Sequence, residues 1–112
     1  MSTVVRITAE STDEEGWKLV LDAALDESKF IKRQICFGIA VYQEDKSVTR
    51  WPLILRPSDE NSGTWVLDYG TENPDEPQVT NLVEKKIEVD NYFTIYDGSE
   101  EVTFRMAQVA EL

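Results

Sequence analysis

The sequence predicts a mainly β fold (α+β at the margin): a small antiparallel β-barrel or sandwich of about six to seven short strands with one N-terminal helix. Short runs rich in β-branched and aromatic residues recur along the chain, and turn-forming residues separate them. No long helix follows the later strands to connect them in parallel. Because 112 residues is the length of one typical domain, residues 1–112 are expected to form a single globular domain.

The N-terminal part contains one clear strand and one ambiguous segment. Residues 3–9 carry Val and Ile among short polar residues, which predicts a strand. The segment Trp17–Leu25 is rich in Ala, Leu and acids, and Thr12 and Glu15 before it have the spacing of a capping box, so a helix is predicted. A strand is the alternative, because apolar residues also alternate along this segment, at Trp17, Leu19, Leu21, Ala23 and Leu25.

The middle of the chain predicts a hairpin followed by loops. Residues 34–42 and 48–55 are dense in apolar residues and flank a polar turn at 43–46. Pro52 lacks an N–H, so the second strand is expected to have a free edge or a bulge near it. A loop is expected at 56–63, a strand at 64–69 and irregular structure at 70–77.

The C-terminal part predicts a final hairpin. A short run at 81–89 contains Leu, Val and Ile, and residues 92–96 then lead into an Asp-Gly turn at 97–100. Beyond the turn, residues 102–109 alternate Val102, Phe104 and Met106 with polar positions. The two runs are therefore expected to pair as antiparallel strands.

The charge balance limits the partners. The chain has 22 acids and 11 bases, which gives a formal net charge of −11. Nucleic acids and anionic membranes are bound through Lys and Arg, so neither is an expected partner. A protein partner with a basic surface fits the charge, although acidity also serves solubility alone.

The residue inventory removes most catalytic and cofactor designs. The chain has no His, and its single cysteine, Cys36, lies in an apolar run where the thiol is expected to be buried. Ser-His-Asp and Cys-His pairs and structural zinc sets are therefore excluded, and the five glycines form no phosphate-binding loop. No catalytic residue, cofactor or metal is predicted, and the expected role is not enzymatic.

Cysteine usage and the N-terminal residues predict a cytoplasmic protein. One cysteine cannot form an intramolecular disulfide, and residues 1–10 show no signal-peptide pattern. No apolar stretch approaches the roughly 20 residues that a transmembrane helix needs.

The acids are unevenly distributed, and residues 57–84 contain no Lys or Arg. We expect this stretch to form a docking surface, because charge steers an encounter and Trp or Tyr side chains anchor it. The alternative is that Trp65 and Leu67 belong to the core and the acids only keep the loops soluble. The candidate partner-binding residues are Asp59, Glu60, Trp65, Asp68, Tyr69, Glu72, Asp75 and Glu76.

Three function classes fit these observations. The first is an acidic protein-binding module, such as an inhibitor or immunity-type antagonist that docks on a basic surface of a partner protein. The second is a structural subunit of a larger viral or secretion-type assembly, which would use a strand edge near Pro52 or Leu112. The third is a carboxylate-dependent hydrolase. The sequence leaves the oligomeric state open.

Overall fold

The fold is an antiparallel β-barrel in which consecutive strands are neighbours and the last strand closes on the first. The computed structural model describes residues 3–73 and 76–112. Within these ranges the strands are β1 (Thr3–Ser11), β2 (Trp17–Leu25), β3 (Cys36–Glu44), β4 (Ser47–Pro57), β5 (Trp65–Asp68), β6 (Gln78–Thr80), β7 (Tyr92–Asp97) and β8 (Glu100–Glu111). The predicted mainly β antiparallel fold is confirmed, as a barrel rather than a sandwich and with eight strands rather than six or seven. The radius of gyration is 13.4 Å, close to the value of about 13 Å for a compact domain of this length.

The predicted N-terminal helix is wrong, because Trp17–Leu25 forms strand β2. This strand pairs with β1 on one side and with β3 on the other. Its alternate residues Leu19, Leu21, Ala23 and Leu25 are buried, whereas Lys18 faces solvent. A helix would have turned only part of this apolar set toward the core, so burial in a two-sided ladder overrides the helix-favouring composition.

Both predicted hairpins are confirmed, as β3–β4 and β7–β8. β4 pairs with β3 from Ser47 to Leu55, but its ladder with β5 covers only Ile54 to Pro57. Pro52 therefore lies on a part of β4 that has no strand partner on the β5 side among the described residues, as its missing N–H predicts. Two short elements were not predicted: strand β6 and a single 3₁₀ turn at Leu82–Glu84.

The core lies inside the barrel and is rich in aromatic rings. Phe93 and Phe104 stack with their centroids 5.5 Å apart, and Trp17 contacts Phe104 edge-on at 5.0 Å. Each large apolar side chain buried here contributes about 1.5–3 kcal/mol to stability. Cys36 is buried as predicted, and burial raises the pKa of its thiol.

The strand order creates two ends of the barrel. One end, the acidic end, holds the connections at 12–16, 45–46, 69–77 and 98–99. The other, the opposite end, holds the connections at 26–35, 58–64 and 81–91. Because the strands are antiparallel, segments far apart in sequence meet at each end, and segments close in sequence are separated by the length of a strand.

Candidate functional site

The two aromatic residues predicted as partner anchors are core residues. Trp65 is 7% exposed and Tyr69 is 6% exposed. Leu67, between them, is fully buried. The alternative that Trp65 and Leu67 belong to the core is therefore confirmed, whereas a partner-binding role for Trp65 and Tyr69 stays a prediction.

The predicted acids come from connections at both ends of the barrel, but Asp59, Glu60 and Glu76 line one pocket of about 300 Å³ beside β5 and β6. Asp59 and Glu60 lie in the 58–64 connection at the opposite end, whereas Glu72 and Glu76 lie in the 69–77 connection at the acidic end. Asp75 lies outside the described residues. The stretch 57–84 is continuous in sequence, but strand β5 and its neighbours carry it from one end of the barrel to the other.

The side chain of Asp68 is held by two hydrogen bonds. Its Oδ2 accepts a hydrogen bond from Arg56 Nε at 3.0 Å, and its Oδ1 accepts one from the backbone N–H of Gly70 at 2.9 Å. Gly70 has φ of +89°, and a Cβ there would lie 3.2 Å from Pro52 Cγ. Asp68 thus neutralises a base and shapes the start of the 69–77 connection.

A pocket of about 260 Å³ opens at the acidic end. Its aromatic lining consists of Trp17, Tyr42, Trp51 and Tyr69. The remaining lining residues are Glu14, Ala40, Val41, Asn73, Gln78 and Asp97. Two carboxylates and two amides therefore border a cavity with four aromatic residues in its lining, the composition of a site that binds a small polar group.

Strand register explains why these aromatic residues meet. Trp17 of β2 is the cross-strand partner of Tyr42 on β3, and Trp51 of β4 is the partner of Ala40, two residues before Tyr42. Partners directly opposite one another point to the same face of a sheet, here the inside of the barrel. Since Ala40 has a small side chain, space remains between the larger side chains, and this space is part of the pocket.

The pocket walls are held by contacts behind them. Trp17 is supported by its edge-on contact with Phe104. The Tyr69 hydroxyl donates a hydrogen bond of 2.6 Å to Oε1 of Gln78, and both side chains are buried. A binding group would therefore meet walls whose positions are already set, which lowers the entropy cost of binding.

The connection that carries Glu14 is also fixed to the barrel. Ser11 Oγ accepts the backbone N–H of Glu14 at 2.9 Å, and Asp13 Oδ2 accepts the N–H of Thr103 at 2.8 Å. The Gly16 carbonyl accepts the N–H of Gln43 at 2.9 Å. Only Gly fits at position 16, because φ is +91° and a Cβ would lie 2.3 Å from the Gln43 carbonyl oxygen.

The acidic end carries more acids than bases. The acids on its described connections and adjoining strand ends are Asp13, Glu14, Glu15, Glu44, Asp45, Glu72, Glu76, Asp97 and Glu100. Lys46 lies on one of these connections, and Lys18, which pairs with Glu10 at 3.7 Å, and Arg50 lie on the adjoining strands. The pKa of the Tyr42 hydroxyl is raised, chiefly by the negative charge of Glu44 and further by partial burial and by Glu14.

Sequence reasoning missed most of this pocket. Glu14, Trp17, Tyr42, Trp51 and Asp97 come from four separate segments, and none of them lies in the base-free stretch. A signal was nevertheless present, since each of the three aromatic residues lies within five positions of a turn at the same end of the barrel. With the antiparallel topology and the correct assignment of β2, those turns would have been placed together.

Comparisons with protein-family models, curated proteins and solved structures find no match to this chain. Among residues 3–73 and 76–112, no cluster of three or more His, Cys, Asp or Glu side chains is arranged to hold a metal ion. No helix in these same ranges is long and apolar enough to cross a membrane.

Proposed function

We propose that the protein is an acidic protein-binding module, of the inhibitor or immunity-antagonist type, which docks its acidic end on a basic surface of a partner protein. The observation that carries the proposal is the position of the aromatic-lined pocket, which opens among the acids of that end. Cytoplasmic location belongs to the same proposal, since the single buried Cys36 needs no oxidising compartment.

The charge and the pocket have complementary roles in such a module. Negative charge around the rim accelerates association with a basic surface and disfavours acidic partners. Aromatic side chains in a partly desolvated pocket supply most of the affinity, as hot-spot residues do in other protein interfaces. Of the acids predicted at 57–84, Glu72 and Glu76 belong to a connection of the acidic end and enter this proposal directly. Asp59 and Glu60 belong to a connection of the opposite end and line a separate pocket together with Glu76.

Charge reversal at one end at a time tests the proposal. The variant Glu14→Lys/Glu72→Lys changes the acidic end, and Glu60→Lys/Glu84→Lys makes the same change in net charge at the opposite end; all four side chains are exposed. A partner captured by the native protein should be lost by the first variant and retained by the second. Raising the salt from about 0.1 M to about 1 M, which shortens the screening length from about 10 Å to about 3 Å, should also release it. Equal capture by both variants would contradict the proposal.

A second candidate function is an assembly subunit that pairs through a strand edge. It is supported by the part of β4 from Ser47 to Leu53, which lies beyond the β4–β5 ladder. The terminal strand β8 offers less unpaired edge, since it pairs with β7 over its first half and with β1 over its second half. Such a subunit would form large particles in light scattering, and these would persist at high salt, in contrast to a charge-steered complex.

A further inference from the structure

The pocket at the acidic end has the size of a site for one side chain. Its volume of about 260 Å³ is below the range of about 300–1,000 Å³ that is common for drug-sized ligands. A globular partner cannot enter such a space, but one long side chain that projects from its surface can.

The lining selects a cation. The faces of Trp and Tyr rings carry negative electrostatic potential and attract cationic groups that lie over them. Glu14 and Asp97 add two carboxylates, from the β1–β2 connection and from the end of β7. A carboxylate or phosphate group would meet repulsion from both acids, and a neutral apolar side chain would gain nothing from them.

We infer that this pocket binds an arginine side chain of the basic partner, an inference that rests on the proposed function. A guanidinium is planar, stacks on aromatic faces and is less strongly hydrated than the ammonium of lysine, so it enters an aromatic pocket at a lower desolvation cost. It also donates paired hydrogen bonds to a carboxylate, which a lysine ammonium cannot match in geometry. Arginine is among the residues enriched at interface hot spots.

The arrangement on three neighbouring strands supports a stacking role for the two tryptophans. Trp17 and Trp51 come from β2 and β4, on either side of β3, which contributes Tyr42 and the small Ala40 between them. Both tryptophans pack against the core and are only partly buried, so part of each ring faces the pocket. The guanidinium is expected to lie against these rings with its N–H groups toward Glu14 or Asp97.

The direct test is a titration with N-acetyl-arginine amide, followed through the indole N–H signals in NMR spectra. The protein has three Trp residues, and Trp65 is a buried internal reference. The signals of Trp17 and Trp51 should shift with a dissociation constant of about 1 mM, typical of a weak single-group ligand, while Trp65 stays in place. N-acetyl-lysine amide should bind at least about threefold more weakly. Absence of shifts at Trp17 and Trp51, or equal binding of the two compounds, would overturn the inference.

Two variants separate the aromatic and ionic contributions. Trp51→Leu should weaken arginine binding by about tenfold, because it removes one aromatic face. Glu14→Gln preserves the shape of the rim and should weaken binding about threefold to tenfold, whereas Glu60→Gln at the opposite end should have no effect. If Trp51→Leu fails to fold, as judged by loss of the Trp65 signal, the Glu14→Gln and Glu60→Gln pair decides the question. Equal effects of these two variants would contradict an arginine site.

The inference and the proposed function fail in different ways. If partner capture depends on the acids of the acidic end, but N-acetyl-arginine amide causes no shift at Trp17 or Trp51, the proposed function stands and the arginine site is wrong. If capture does not depend on those acids, the proposed function is wrong, whatever the pocket binds. The arginine site is supported when the ligand shifts both signals and Trp51→Leu also weakens partner capture.

Discussion

The two ends of the barrel are built from the same kind of parts but differ in charge. At the opposite end, acids and bases are mixed: its connections carry Asp26, Glu27, Lys29, Lys32, Arg33, Asp59, Glu60, Glu84, Lys85, Lys86, Glu88 and Asp90. At the acidic end the described connections carry many acids and a single base, Lys46. The net charge of −11 is therefore polarised along the barrel, and polarised charge orients an approaching partner in a way that uniform charge cannot.

A pocket at each end can be compared by the residues that line it, and the two linings differ in chemistry. The opposite end has the larger one, about 700 Å³, lined by aliphatic residues such as Leu25, Ile87 and Val109 together with side chains of both charges, including Lys29. Its described lining contains no aromatic residue. The smaller pocket at the acidic end combines four aromatic residues with two acids. Residue chemistry, rather than volume, therefore identifies the acidic end as the candidate site.

The largest difference between the two ends is expected in the free energy of unfolding of Gly→Ala variants. Gly16 and Gly63 both have positive φ, +91° and +83°, but a Cβ at position 16 would collide with the Gln43 carbonyl, whereas position 63 has no atom within 4 Å. Gly16→Ala should therefore lower the free energy of unfolding by about 2–4 kcal/mol, and Gly63→Ala by about 1 kcal/mol, from backbone strain alone. Chemical denaturation measures both. Equal losses would mean that the 12–16 connection is not held as tightly against β3 as its contacts indicate.

A smaller difference in stability is expected between Asp→Asn variants of the two carboxylates that contact Arg56. Asp68 and Arg56 are each partly buried, whereas the Asp59 side chain is 90% exposed and lies 3.4 Å from Arg56 Nη1. Asp68→Asn should destabilise the protein by about 1–2 kcal/mol, because it weakens a partly buried ionic hydrogen bond. The matched variant Asp59→Asn should cost no more than about 0.5 kcal/mol, as exposed ion pairs usually do. If Asp59→Asn were as costly as Asp68→Asn, the position of Asp68 below the 69–77 connection would have no special structural role.

Much of the fold could be predicted because each strand carries its own local signal. The alternation of Val102, Phe104 and Met106 after an Asp-Gly turn identified the last hairpin without any tertiary information. The β2 segment shows the limit of composition, since Ala, Leu and acids favour a helix in isolation. Strict alternation over nine residues was the better predictor, because a two-sided barrel ladder buries every second side chain.

The candidate site was harder to predict because its parts are brought together only by the barrel. The base-free stretch 57–84 is a property of the linear sequence, yet its acids are divided between the two ends. Trp65 and Tyr69 were grouped with those acids by proximity in sequence, whereas β5 places Trp65 in the core, and Tyr69, directly after β5, is buried and lines the pocket at the acidic end. Glu14 and Asp97, which line the same pocket, are too far apart in sequence for any local pattern to connect them.

The smallest expected effect is a change in the pKa of Tyr42, which depends on the negative charges of the acidic end. A nearby negative charge disfavours the tyrosinate, and Glu44 is the largest cause of the raised pKa of Tyr42. Glu44→Gln should therefore lower the pKa of Tyr42 toward its ordinary value, and added salt should act in the same direction. A pH titration of the Tyr42 ring signal by NMR measures this.

Glu60→Gln is the matched control, since it removes the same unit of charge from the opposite end. It should leave the pKa of Tyr42 in place, because its charge lies a strand length away and is screened by solvent. A local field at the acidic end requires the two variants to differ. If both lowered the pKa of Tyr42 equally, Tyr42 would be responding to the net charge of the whole molecule, and the electrostatic distinction between the two ends would be lost.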